Sequence, residues 1–162
     1  MQKITPNLWF DDQAEEAARF YVSLFKNSKI TQIERYSASA AKGSGRPEGS
    51  VMLVAFQLDG QDYMALNGGP IYKLNEAISL VVACEDQTEV DYLWDKLLEG
   101  GITQACGWLK DKFGLSWQVV PKEFEEMMAH PDQARKDRVM AALMKMTKID
   151  MPTLRLAYEG KL

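Results

Sequence analysis

Histidine is nearly absent from this chain: His130 stands alone among 162 residues. A single imidazole excludes any metal or catalytic site that draws two histidines from one chain. Cysteine is almost as scarce. Cys84 and Cys106 are the only two, far from C-x-x-C spacing, and they read as free thiols of a reducing cytosol rather than a disulfide framework. No apolar run approaches the roughly 18 residues of a spanning helix, and no basic and apolar leader opens the sequence. A cytoplasmic protein with no membrane contact is expected. A basic excess is missing too: the net charge of −4 disfavours nucleic acid as a partner, because neutralising phosphates needs a basic face. Glycine-rich phosphate loops are also lacking. Asn67-Gly68-Gly69-Pro70 has neither G-x-G-x-x-G spacing nor a following helix, so it reads as a turn.

What the chain does contain is a repeat. Asp12-Gln13 opens one helical segment and Asp86-Gln87 another. Each runs on, at nearly equal spacing, to the same tripeptide, Ile30-Thr31-Gln32 and Ile102-Thr103-Gln104. One unit of strand, helix and strand has been used twice. Two such units can pair into a curved sheet whose hollow holds a small molecule. With 46% hydrophobic and 26% charged residues, the chain is long enough for one domain with a real core, or two small modules sharing one.

Ile4 to Phe10 alternates in strand fashion, with Ile4, Leu8 and Phe10 expected to face a helix, and Pro6 marks an edge. Asp12 with Glu15 reads as a capping-box start for a helix carrying Ala14, Ala17, Ala18, Tyr21, Leu24 and Phe25 on one stripe. Ile30 to Tyr36 reads as a strand, and Ser37 to Gly49, rich in Ala, Gly, Ser and Pro, as a flexible loop. Val51 to Leu58 and Tyr63 to Leu66 are strands joined through the hairpin dipeptide Asp59-Gly60.

The second unit opens with Ala77 to Cys84. Asp86 and Glu89 repeat the capping pattern, Val90, Leu93, Trp94, Leu97 and Leu98 form the buried stripe, and Gly100-Gly101 ends the helix. Ile102 to Lys110 and Leu115 to Val120 read as strands around an Asp111–Gly114 turn. Beyond Pro121 the pattern turns helical, through Phe124, Met127 and Met128 and then Val139, Met140, Leu143 and Met146. Trp94 and Trp117 take core positions, Cys106 and Cys84 read as structural thiols, and His130 as a partly exposed residue beside a helix start. Six of the nine methionines fall after residue 126. They fit an amphipathic helix packed on its own domain, or a partner contact.

Several segments resemble a known group. These are Pro6-Asn7-Leu8-Trp9-Phe10, Phe56-x-Leu58-Asp59-Gly60, Met64 to Pro70, and Gly107-Trp108-Leu109-Lys110-Asp111-Lys112-Phe113-Gly114-Leu115-Ser116-Trp117-Gln118. With the duplicated order of elements, they look like the PhnB-like subgroup of the vicinal oxygen chelate superfamily (glyoxalase I, extradiol dioxygenases, bleomycin-resistance proteins). That subgroup often carries a 3-demethylubiquinone methyltransferase label. The resemblance implies an α+β fold of tandem βαβββ modules forming a curved mixed sheet, glyoxalase-like, plus C-terminal helices, and commonly a homodimer. One such domain over 1–162 is expected, made of modules 1–70 and 71–121 and a helical tail, 122–162.

Metal enzymes of that superfamily set histidines and glutamates on concave strand faces. Strand parity here puts Thr5, Ala65, Ala77 and Gln118 at those positions, none of them an imidazole or a carboxylate, so no metal site and no cofactor are expected. The same parity turns Thr5, Asn7, Trp9, Asn67, Ser79 and Gln118 inward, and Trp108 joins them as a pocket candidate. The reading is a protein that binds a small organic molecule without metal, Trp9 stacking and Asn67 and Gln118 orienting it, with the 37–49 loop over the mouth. A sequestering role suits an acidic protein and a cationic compound. The alternative is a glyoxalase- or dioxygenase-type enzyme of the same fold. A Rossmann-type methyltransferase is disfavoured, since Phe10-Asp11-Asp12 joins strand to helix without glycine.

Overall fold

A computed structural model describes residues 2–162, and its elements follow the repeat. The first unit runs β1 (Asn7–Phe10), α1 (Ala14–Leu24), β2 (Lys29–Arg35), α2 (Ala38–Ser44), β3 (Val51–Leu58) and β4 (Gln61–Asn67). The second runs β5 (Ser79–Cys84), α3 (Gln87–Leu97), β6 (Ile102–Thr103), β7 (Trp108–Lys110) and β8 (Ser116–Pro121), followed by α4 (Lys122–Ala129), α5 (Gln133–Leu143) and α6 (Met151–Glu159). Each unit builds its own four-stranded mixed sheet, in the orders β1-β4-β3-β2 and β5-β8-β7-β6. In both, the first strand pairs parallel with the last and every other pairing is antiparallel. The protein is α+β, with the βαβββ topology used twice. The chain divides into compact units Met1–Leu74 and Asn75–Leu162.

In the first unit α1 lies on one face of its sheet because its inward stripe is small. Ala14, Ala17 and Ala18 are fully buried, and Tyr21 fills the remaining space against Phe56. Leu8 and Phe10 point into the same core, but Ile4 does not, being 82% exposed ahead of a strand that begins only at Asn7. The hairpin forms as expected. Asp59 and Gly60 both take positive φ, 46° and 78°, the backbone a two-residue turn needs to match strand twist.

Two expectations fail here for local reasons. Asp12 is not the N-cap of α1; Gln13 is, and its side chain makes no capping bond. The orphan amide of Ala14 is instead taken by Asn67 Oδ1 at 2.8 Å, from the end of β4. The 37–49 segment is not all loop either. Ser37 accepts from Ala40 N, three alanines favour helix, and Gly45 at φ 72° ends the turn, giving α2 with no buried residue.

In the second unit the capping signals act locally. Asp86 accepts from Glu89 N and Glu89 accepts from Glu85 N, and the stripe Val90, Leu93, Trp94 and Leu97 is buried on the side where Trp117 and Val119 lie. The expected strand from Ile102 to Lys110 is broken into β6 and β7. Cys106 and Gly107 both adopt positive φ, 59° and 82°, and their amides donate to Met146 O and Thr147 O of the tail. A side chain at Gly107 would meet Ile149 at 2.9 Å. The tail therefore packs within this unit, around Met127, Val139, Leu143, Ile149, Met151 and Leu154. Its last helix, α6, starts at Asp150, which caps Thr153 N.

Candidate functional site on the open sheet faces

Each sheet has one face under its helix and one face free of it. Register identifies the residues of the second. In unit two, Val81, Gln118 and Trp108 stand side by side across β5, β8 and β7. The next row is Ser79, Ser116, Lys110 and Ile102. Val81, in the middle of its strand, is 56% exposed, and Ile102 63%. Apolar side chains left open at the centre of a paired strand are a recognition surface rather than a core.

The polar groups on this face are already oriented. Gln118 Nε2 donates to Ser79 Oγ at 2.9 Å. Ser116 is fully buried, yet its Oγ has no partner, so a hydroxyl in the row beneath Gln118 retains bonding capacity. At the margin, Glu76 Oε1 accepts from Lys110 Nζ at 2.6 Å and from Gln104 Nε2 at 3.1 Å. The Lys110 hydrogen bond is the main reason the Glu76 carboxyl sits below its ordinary range. The face is thus apolar with amide and hydroxyl anchors and one neutralised ion pair.

On the first sheet the equivalent face carries Asn7 and Trp9 beside Met64 and Leu66. Trp9 is fixed rather than free. Its Nε1 donates to Gly69 O at 2.8 Å, its ring meets Tyr72 edge-on at 5.0 Å, and a Cβ on Gly68 would come within 2.1 Å of it. Thr5 lies just before β1, half-buried.

Asn67 and Ala65 do not face this way, contrary to the parity expected for β4. Ala65 is in register with Leu8 and Asn67 with Phe10, on the helix side. Asn67 is 4% exposed and its amide is spent inside the fold, on Ala14 N and on Val51 O at 3.1 Å. The reason is plain in the sequence: Tyr63, Met64, Ala65 and Leu66 are apolar on both phases, so alternation could not assign the side. Ala77 precedes β5 and is exposed. Of the predicted residues, Ser79, Trp108 and Gln118 come together on one face, and Asn7 and Trp9 on another. Ser116 turns to the same side as Gln118, as strand parity places it, and Val81 and Lys110 were recoverable from the same parity.

The superfamily's metal does not fit these residues. The open face of unit two offers hydroxyl, amide and indole groups with one carboxylate already paired, and correcting β4 replaces Ala65 by Met64 or Leu66. His130 lies between α4 and α5, its Nδ1 accepting from Asp132 N at 3.1 Å and its ring edge-on to Tyr158. Among the described residues no three His, Cys, Asp or Glu side chains gather to hold an ion. A methionine-derived methyl donor fits no better, because the N-terminus of α1, where a Rossmann fold would receive it, is closed by Asn67.

Neither thiol completes a nucleophilic pair. Burial, with Glu89 and Asp86 nearby, pushes the Cys84 thiol up to about 12. The native fold therefore favours the protonated form. That stabilising contribution is complete below the unfolded thiol's value of about 8.5 and fades as pH climbs toward 12. Native protein treated with iodoacetamide at neutral pH is expected to gain one adduct, at half-buried Cys106, and a second only on unfolding. Peptide mapping that finds Cys84 labelled in the native state would contradict this placement.

Duplicated βαβββ topology, a helix-free face on each sheet and the motifs around Trp9, Asp59-Gly60 and Trp108 to Gln118 define a protein of the vicinal oxygen chelate type. The family model described as 3-demethylubiquinone-9 3-methyltransferase matches residues 2–120, and the chain belongs to that PhnB-like family. A PhnB protein from Bacillus cereus is 38% identical, with a TM-score of 0.66, over 74% of this chain and 99% of that one. Protein PA1353 from Pseudomonas aeruginosa, 20% identical over 75% of this chain and 98% of that one, shares the fold at a TM-score of 0.59. No curated protein matches the chain. No helix among the described residues is long and apolar enough to cross a membrane.

Proposed function

We propose that this PhnB-like protein binds a small organic molecule, without metal, on the open face of its second sheet. One observation carries the reading: Val81, Gln118 and Trp108 form a half-open apolar row whose only polar member is pre-oriented by Ser79. Apolar walls with a few fixed hydrogen bonds are what a small-molecule site requires. Trp108, Val81 and Ile102 supply contact area; Gln118, held by Ser79, supplies the hydrogen bonds. Asn7 and Trp9, with neighbouring Thr5, give the first unit a surface of the same kind. The functional form is a homodimer in the cytoplasm.

Native mass spectrometry of protein taken directly from cells tests all of this at once. A retained organic ligand and a dimer are expected, with ligand lost from Gln118→Ala and Val81→Asp variants that keep wild-type circular dichroism. Retention of the same ligand by both variants would refute the site. Stoichiometric Zn, Mn, Fe or Ni after dialysis would replace the reading by that of a metal enzyme.

A further inference from the structure

Gln118 stands in the middle of the open face of the second sheet, between Val81 on β5 and Trp108 on β7. A primary amide carries two donors on its nitrogen and an acceptor on its oxygen. One donor is engaged, with Ser79 Oγ at 2.9 Å. Among the described residues nothing accepts from the second N–H and nothing donates to Oε1. A half-buried side chain, anchored at one corner, therefore presents a donor and an acceptor side by side in one plane. Turning the amide end for end keeps one of each available.

The surroundings of that amide carry no free charge. In its own row and in the paired rows on either side, Lys110 is the one charged side chain. Its ammonium lies 2.6 Å from the Glu76 carboxylate. An anionic ligand would have to displace Glu76 to gain a partner, and a cationic one would have to displace Lys110. Trp108 is the one aromatic group in these rows, half-buried, with an indole face for a flat ring to pack against. Two inter-strand steps put about 10 Å between Val81 and Trp108, the reach of a fused two-ring system lying over Gln118.

We infer that the ligand of this face is a neutral, planar, two-ring lactam or imide. Its ring N–H donates to Gln118 Oε1, its neighbouring carbonyl accepts from Gln118 Nε2, and its rings pack against Trp108 and Val81. The inference rests on the reading of this face as a small-molecule site and adds the chemistry of what is bound. A purely apolar ring would cover the amide and leave both of its remaining groups without partners, which penalises binding. A lactam edge restores both at once, because it places an N–H beside a C=O in the order that complements a carboxamide.

Calorimetric titration of the full chain with 2-quinolone and with N-methyl-2-quinolone tests the assignment. The two probes share rings and carbonyl, and only the first has the N–H. One 2-quinolone per chain is expected, and the N-methyl compound should bind at least about tenfold more weakly, a difference of about 1.4 kcal/mol. In Gln118→Ala the two should bind alike, both weakly; Val81→Asp, at an exposed position, should abolish binding of either. Equal affinities for the wild-type chain would overturn the lactam assignment, a comparison that needs no variant to fold. So would an undiminished preference for 2-quinolone in Gln118→Ala. If Val81→Asp still abolished binding in those cases, the face would remain a small-molecule site for another ligand class. Failure of 2-quinolone to bind, while native mass spectrometry finds a different organic molecule retained by the wild type and lost from Val81→Asp, would overturn the lactam alone. Failure of both measurements would overturn the small-molecule reading with it.

Discussion

Replacing Asp111 by alanine is expected to be the most damaging single polar substitution in the second unit. Its carboxylate is 4% exposed and closes the turn between β7 and β8. Oδ1 accepts from Phe113 N at 2.9 Å and Leu115 N at 3.0 Å; Oδ2 accepts from Trp117 Nε1 at 2.8 Å. Alanine leaves three donors without these acceptors, two of them beside the buried Leu115 and Trp117. An unsatisfied buried donor costs about 1–3 kcal/mol, so the variant should lose roughly 3–5 kcal/mol, allowing for some rehydration of the turn. Urea denaturation followed by tryptophan fluorescence measures it. A loss below about 1 kcal/mol would mean the turn is held by its backbone alone. Asp111→Asn should fall between, because it keeps one acceptor but sets an amide N–H against the indole N–H.

Asn67→Ala comes next, and it separates scaffold from site. The amide joins Ala14 N at the head of α1 to Val51 O at the start of β3. Losing a buried helix cap and a cross-strand bond together should cost roughly 2–4 kcal/mol. Ligand affinity on the second sheet should not change in the folded fraction. Asn67→Asp should be no better, since it retains the acceptor but points a carboxylate oxygen at the Val51 carbonyl. Thermal melts and ligand titration on one preparation check both halves. Weakened affinity with unchanged stability would return Asn67 to the binding surface.

The sequence was most legible where its signals were local. Asp59-Gly60 specified a hairpin, Asp86 with Glu89 specified a helix start, and Leu115, Trp117 and Val119 pointed to one side of β8, as found. The duplicated order was readable because two short words recur in step with it. Legibility ended where a partner came from far along the chain. Nothing near Ala14 announces that its amide is capped from β4, and Asp12 with Glu15 offered a local cap that the fold does not use. In β4, apolar residues on both phases erased the side assignment, so one candidate binding residue was a buried strut. In 37–49, glycine and serine masked a helix whose start and stop residues were both in view. Three of the seven pocket candidates, Ser79, Trp108 and Gln118, share one face, two of them where strand parity put them.

The two caps also imply an order of events. α3 satisfies its first turn with Asp86 and Glu89, residues already beside it, so it can form as soon as that stretch leaves the ribosome. α1 borrows its acceptor from a residue 53 positions later. A nascent first unit cannot cap its helix from Asn67 until the final strand has emerged and docked, although β3 is already there for the helix to pack on. The first unit thus matures only as a whole, while the second can begin piecemeal.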